Sequence, residues 1–132
     1  MKLYNPTEVH KPFGYSHVGE VTGGKLVYIA GQVALDAAGN LVGKDDVAAQ
    51  VRQVFANLNA ALAAAGASFQ DVIKLNYYCA DAVDLAVHMP TIREIRDNYV
   101  NTAAPPASTF VVVSRLVRPE WLIEVEAVAA VW

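Results

Sequence analysis

Between Asp46 and Ala65 the residues Val47, Val51, Val54, Phe55, Leu58 and Leu62 recur mainly in steps of three and four. That spacing lays them on one stripe of an α-helix, whereas a strand would scatter them over both faces. A long helix with a single apolar stripe has to cover another layer, so the flanking segments are expected to supply a sheet. Asp45 or Asp46 can cap the helix start and Gly66 its end. Gln50, Gln53, Asn57 and the alanines are expected on its other sides.

Tyr15 to Val21 reads as a short strand, Gly23-Gly24 as a hairpin turn, and Lys25 to Gln32 as a mostly buried strand. Asp36 to Asn40 is turn chemistry. Val72 to Cys79 is a third strand, rich in β-branched and aromatic residues. A second helix is expected from Pro90 to Val100, with Pro90 in its first turn, and Ala103 to Pro106 breaks it. Ser108–Leu116 and Leu122–Val131 complete the strands. Residues 1–14, punctuated by Pro6, Pro12 and Gly14, read as irregular. No linker or repeat divides the chain, so residues 1–132 are expected to form one domain. The order ββαβαββ implies an α+β fold, with both helices on one face of a mixed sheet.

The last strand separates two chemistries. Ile123, Val125, Ala127 and Ala129 point one way, and Leu122, Glu124 and Glu126 the other. Lys74, Asn76 and Tyr78 alternate likewise against Leu75, Tyr77 and Cys79. One sheet face is thus expected under the helices, and the other is mixed and open. Charged residues make up 17% of the chain, against a usual ~25%, while 55% is apolar. A small domain so poor in charge is expected to hide apolar surface against a partner subunit.

Several function classes are excluded on the same grounds. No apolar run approaches the ~18 residues of a membrane span. A net charge of −3 and scattered Lys and Arg give no footprint for nucleic acid, and a ribonuclease role fits poorly. The single Cys79 can form no internal disulfide and is expected as a small buried hydrophobe. Met1 to Pro6 lacks the apolar segment of a signal peptide, so a cytoplasmic location is expected. His10, His17 and His88 fall in no metal-ligand spacing, and no glycine-rich stretch opens a helix as a phosphate loop would. No metal or cofactor is therefore expected.

The ordered set Gly14-Tyr15-Ser16-His17, Leu26 to Gln32, Gly39 to Gly43, Ala49-Gln50, Asn57-Leu58, Ala65-Gly66-Ala67, Asp71 to Lys74, Pro106 to Thr109 and Ile123 to Ala129 resembles the Rid family. These are the reactive intermediate deaminases, also called the YjgF family. The match runs from about residue 14 to 131. The resemblance implies a chorismate-mutase-like α+β fold assembled as a homotrimer, sheets inside and helices outside, with three sites between neighbouring subunits. It also implies hydrolysis of enamines and imines, released by pyridoxal-phosphate enzymes, to keto acids and ammonia without metal or organic cofactor.

Carried over position by position, Tyr15 matches the family's site tyrosine and Glu124 the glutamate that handles the water. Other positions depart from the pattern. Ser108 stands where the family's deaminases carry an arginine, Phe110 where they carry a cysteine, and Ala30 where a serine is often found. Their helix asparagine has no clear counterpart near Thr91 to Arg93. Hydrolysing an imino acid needs a carboxylate anchor, a positioned water and a cleft that holds both. Ser108 donates one hydrogen bond but supplies neither a charge nor a fork. It argues against the standard 2-imino-acid deaminase activity.

Arg93, Arg96 and Arg115 are candidate replacement cations. Catalytic roles are expected for Glu124 and Tyr15, with Ser108, Thr109, Ala30, Phe110 and His17 lining the substrate cleft. For Glu124 and Glu126 the plainer alternative is pairing with Lys or Arg across a subunit interface. Hydrolytic or tautomerising chemistry on an enamine, imine or enol is the leading expectation. The alternative is a non-catalytic trimer that binds a small molecule or a protein.

Overall fold

Asp46 accepts a hydrogen bond from the Ala49 amide at 3.0 Å and starts helix α1, Val47–Ala64. The computed structural model describes residues 1–132. Six strands and a second helix complete it: β1 (Lys2–Tyr4), β2 (Val18–Glu20), β3 (Lys25–Gln32), β4 (Val72–Ala80), α2 (Leu85–Asp97), β5 (Ala107–Val113) and β6 (Ile123–Val131). The main sheet runs β3-β6-β4-β5, antiparallel except for the parallel pair β4–β5. Both helices pack on one face of this mixed sheet, so the α+β class stands.

The stripe on α1 is the centre of the core. Val51, Val54, Phe55, Leu58 and Leu62 have no exposed surface and meet Ile123, Val125 and Ala127 of β6. Phe55 stacks on Phe69 at 5.8 Å and on Tyr99 at 5.4 Å. Each such side chain contributes roughly 1.5–3 kcal/mol by burial, and Leu58→Ala is the kind of change that costs about 2–5 kcal/mol. The helix ends as Gly66 turns through φ 74°, a left-handed conformation that a side chain would strain.

Several boundaries and two burials differ from the sequence expectation. Strand β2 keeps only Val18–Glu20 of the expected Tyr15 to Val21. Strand β3, expected to be mostly buried, has no fully buried residue, because it is an edge strand with one face open. Residues 2–4 of the irregular N-terminal segment form β1, which pairs with β2. Gly23-Gly24 therefore joins two strands of different sheets and makes no hairpin; β3 pairs with β6 instead. These glycines let the C-terminal end approach, since a Cβ at Gly24 would meet the Val131 carbonyl and one at Gly23 the Trp132 ring. Helix α2 begins at Leu85, capped by Asp84, and carries Pro90 inside it. That proline removes a bond to the Ala86 carbonyl, but Ala86 is exposed and water can take the bond's place. Strand β5 stops at Val113, three residues short of the expected end. Gln50, expected on an outer side of α1, is fully buried. Its amide donates to the Gly43 and Glu120 carbonyls, both at 3.0 Å, and accepts from the Leu122 amide at 2.9 Å.

Candidate functional site

The strand alternation places the charged residues as expected. Ile123, Val125, Ala127 and Ala129 are buried under the helices, while Glu124 and Glu126 are half-buried on the open face. Tyr78 pairs in register with Glu124, and Asn76 with both Glu126 and Thr109. Next to them β3 bulges between Ile29 and Gln32, where Ala30 and Gly31 are exposed. Gly31 gives the Glu124 carboxylate its seat: a Cβ there would lie 2.8 Å from Glu124 Cδ.

Desolvation, then the charge of Glu126, raises Glu124 above the usual carboxylate range. Hydrogen bonding to Glu126, then desolvation and the two carboxylate charges, raises the Tyr78 phenol. Arg115 borders the same cavity of about 310 Å³ yet forms no ion pair with either glutamate, and within the protomer no Lys or Arg does. Thr109 accepts a hydrogen bond from Lys74 Nζ at 2.7 Å.

The other expected site residues gather on the opposite side of the sheet. Under α2, at the edge strand β5, lies a cavity of about 270 Å³ bordered by Tyr15, Tyr77, Arg93, Arg96, Ser108 and Phe110. Ser16 positions this corner: it is buried, its hydroxyl donates to the Pro105 carbonyl at 2.6 Å, and its amide donates to the Pro106 carbonyl at 3.1 Å. Tyr15 shares a hydrogen bond with His10 Nε2 at 2.9 Å. His17 sits behind, edge-on to the Tyr15 ring at 5.3 Å and bonded to the His10 carbonyl oxygen at 2.7 Å. It therefore braces the tyrosine and does not itself border the cavity. His10 and His17 meet ring to ring, and no third metal-ligating side chain joins them.

The expected constellation is thus split. Ser108 and Thr109 are neighbours in sequence, so the pleat sends them to opposite faces. Tyr15, Ser108 and Phe110 belong to the α2 cavity, whereas Glu124, Thr109 and Ala30 belong to the open face. The strand alternation assigns Tyr77 only to the apolar side. Its hydroxyl is buried there without a hydrogen-bond partner, and its ring stacks on Phe110 at 5.3 Å. A tyrosine at an inward strand position is the signal that points to it, because a buried phenol needs a partner.

Cys79 is buried, and desolvation pushes its thiol up to about 11. No helix is long and apolar enough to cross a membrane.

The family model described as Endoribonuclease L-PSP matches residues 8–131. The mouse 2-iminobutanoate/2-iminopropanoate deaminase is 30% identical, over 97% of this chain and 90% of its own. The 3-aminoacrylate deaminase RutC of Acinetobacter baylyi is 32% identical, over 80% of this chain and 79% of its own. The crystal structure of the Rid family protein YyfB from Yersinia pestis superposes with a TM-score of 0.83 at 39% identity, over 98% of both chains. With its fold, its ordered motifs and its relatives in agreement, this chain belongs to the Rid family, also called YjgF.

Proposed function

We propose that the protein is a homotrimeric, cofactor-independent hydrolase of an enamine, imine or enol-type metabolite, working in clefts between subunits. In each cleft Glu124 on the open face of one protomer meets the Tyr15–Ser108 cavity of the next. The observation that carries this reading is the Glu124 carboxylate, seated on Gly31, raised in pKa and free of any ion pair. A carboxyl group held nearer neutrality is suited to exchanging protons with water.

In the reaction, an enamine first takes a proton from solvent on carbon and becomes the iminium. Glu124 removes a proton from water as the oxygen adds to the iminium carbon, giving a neutral amino alcohol, and then passes that proton to the nitrogen. Glu124 takes the hydroxyl proton as the C–N bond breaks, which releases ammonia and a carbonyl compound, and it returns that proton to solvent. Tyr15 positions the substrate through its hydroxyl.

The open face supports a subunit contact there. Tyr28 is 74% and Trp132 71% exposed, and Leu26 and Val111 are exposed beside them. These are large apolar groups for a protein surface so poor in charge. A non-catalytic trimer would be favoured by a cavity filled by Phe110 or by a salt bridge closing Glu124. Phe110 instead stacks flat on Tyr77 and leaves the cavity open, and Glu124 has no such bridge.

The test is ammonia release from a panel of enzyme-generated enamines and imines, with Glu124→Gln as the matched loss. Glu124-dependent turnover of at least one panel member is expected, with 2-aminoacrylate a poor substrate because Ser108 offers no charge. No turnover of any member overturns the hydrolase reading. Rapid release from 2-aminoacrylate, matching an arginine-bearing relative, overturns the reading of Ser108.

A further inference from the structure

Tyr15 is a wall between two hollows. One is the cavity of about 270 Å³ under α2. The other, of about 560 Å³, lies on the side of the N-terminal segment and is bordered by Asn5, Thr7, His10, Lys11 and Thr102. His10 reaches the tyrosine from this second hollow, with its Nε2 2.9 Å from the phenol oxygen. The segment that carries His10 is pinned by His17. The His17 amide donates to Asn5 Oδ1 at 2.7 Å, and its Nε2 faces the His10 carbonyl at 2.7 Å. That nitrogen must carry a proton, because a carbonyl only accepts. The two imidazoles meet edge to face at 4.7 Å, which fixes the plane of the His10 ring.

A hydroxyl has one proton to give and lone pairs to accept with. Where His10 Nε2 carries no proton, it takes the phenol proton, and the tyrosine oxygen turns its lone pairs to the cavity under α2. Where Nε2 is protonated, it donates to the tyrosine, and the phenol proton is released to the cavity. A phenol is a stronger acid than a neutral imidazole N–H, and an imidazole nitrogen is a stronger base than a phenol oxygen. The O–H···N direction is therefore the stronger bond while the imidazole is neutral.

We propose that His10 is a positioning residue for Tyr15: neutral, with its proton on Nδ1, it takes the phenol proton and makes the tyrosine oxygen an acceptor for an N–H group of the ligand. Protonation of His10 reverses the bond and turns Tyr15 into a donor. The titratable and charged groups facing His10 are Tyr15, His17 and Lys11 on its own segment and, from α2, Arg96, whose guanidinium is held over Gly14. No carboxylate forms an ion pair with either imidazole. The inference rests on the proposed small-molecule site, where it places the enamine or imine nitrogen at Tyr15. It is read from a tautomer and from binding, both apart from turnover.

Nitrogen NMR of the assembled protein with isotope-labelled histidine reads the tautomer. At pH 8 His10 is expected as the Nδ1–H form, which a free histidine side chain disfavours, and Tyr15→Phe should return it to the Nε2–H form. Binding is read with propanamide and butanone, two neutral probes of one shape that differ by an amino group in place of a methyl. The ratio of their affinities cancels whatever a variant does to cavity shape alone. In His10→Phe the amide-to-ketone ratio should fall about three- to tenfold, the effect of one hydrogen bond. His10→Gln keeps an acceptor in reach and should hold the wild-type ratio. At pH 5 the wild-type ratio should fall as His10 is protonated, while that of His10→Gln should not move. Thermal unfolding confirms that each variant is folded.

An Nε2–H tautomer in the neutral wild type overturns the proposal, as does a tautomer that Tyr15→Phe leaves unchanged. An unchanged ratio in folded His10→Phe also overturns it. A fall at acid pH that survives in His10→Gln belongs to another group, Glu124 or His17, and overturns it too. The expected tautomer and ratios in a protein that turns over no imine would sink the hydrolase reading and leave this inference standing. Turnover with the wrong tautomer would do the reverse.

Discussion

The Glu124 carboxylate lies against the backbone of Gly31, where β3 bulges away from β6. The glutamate fits because position 31 has no side chain. A methyl group at Gly31 would fall on the carboxylate, the far end of a flexible side chain, which can swing aside at little cost to the fold. Gly31→Ala should therefore keep the unfolding temperature nearly unchanged. It should lower kcat in step with Glu124→Gln, by roughly 10²–10⁴-fold if Glu124 exchanges the proton. Steady-state ammonia release and a melting curve on the same sample check this, and an unimpaired kcat would remove Gly31 from the site.

Glu124 also couples stability to pH. Burial and the Glu126 charge raise its folded value above the ordinary 4.5, so folding favours the protonated form. That stabilisation is fully present below about 4.5 and is lost as pH rises through the raised folded value. Glu124→Gln should then gain on the wild type between pH 4 and pH 7, by roughly 1–3 °C in Tm, because the site is partly exposed. Melting curves at the two pH values decide it. A wild-type protein that gains relative to the variant as pH rises would contradict the direction.

Gln50 crosses the base of the fold and satisfies backbone groups of three separate residues, Gly43, Glu120 and Leu122. Gln50→Leu has a similar volume but leaves two carbonyls and an amide without partners. Destabilisation of about 3 kcal/mol is expected, measured by urea unfolding. A cost under ~1 kcal/mol would mean that water replaces all three bonds.

Tyr28 projects from the open sheet face that carries Glu124 and Glu126. Tyr28→Glu adds a third carboxylate there, and burying it in an interface costs several kcal/mol. Light scattering should show a smaller assembly, with turnover lost alongside. A dissociated protomer that still turns over substrate would separate the site from the subunit contact.

Cys79 is buried and its thiol is raised to about 11, so almost none is thiolate at pH 8. Iodoacetamide should leave it unmodified in the native protein and alkylate it fully after denaturation, read by mass spectrometry. Rapid native alkylation would show that β4 opens far more readily than its packing indicates.

Much of this was legible in the residues themselves. The α1 stripe and the alternation in β4 and β6 are periodic, and a helix or a half-covered strand leaves no other use for those periods. They determine the α+β layers and put Glu124 on the open face, and the ordered motifs determine the family.

The tertiary structure decided what depends on distant contacts. Pairing of β1 with β2 is a bond between segments fourteen residues apart, invisible in either one. The burial of Gln50 depends on the Glu120 carbonyl and the Leu122 amide, 70 and 72 residues away. Ser108 and Thr109 look like one pair of hydroxyls in the sequence, yet the pleat and the packing of α2 assign them to opposite faces. Only the fold brings Arg93, Arg96 and the Tyr77 hydroxyl to one cavity, because no local pattern records which helix face meets which strand edge.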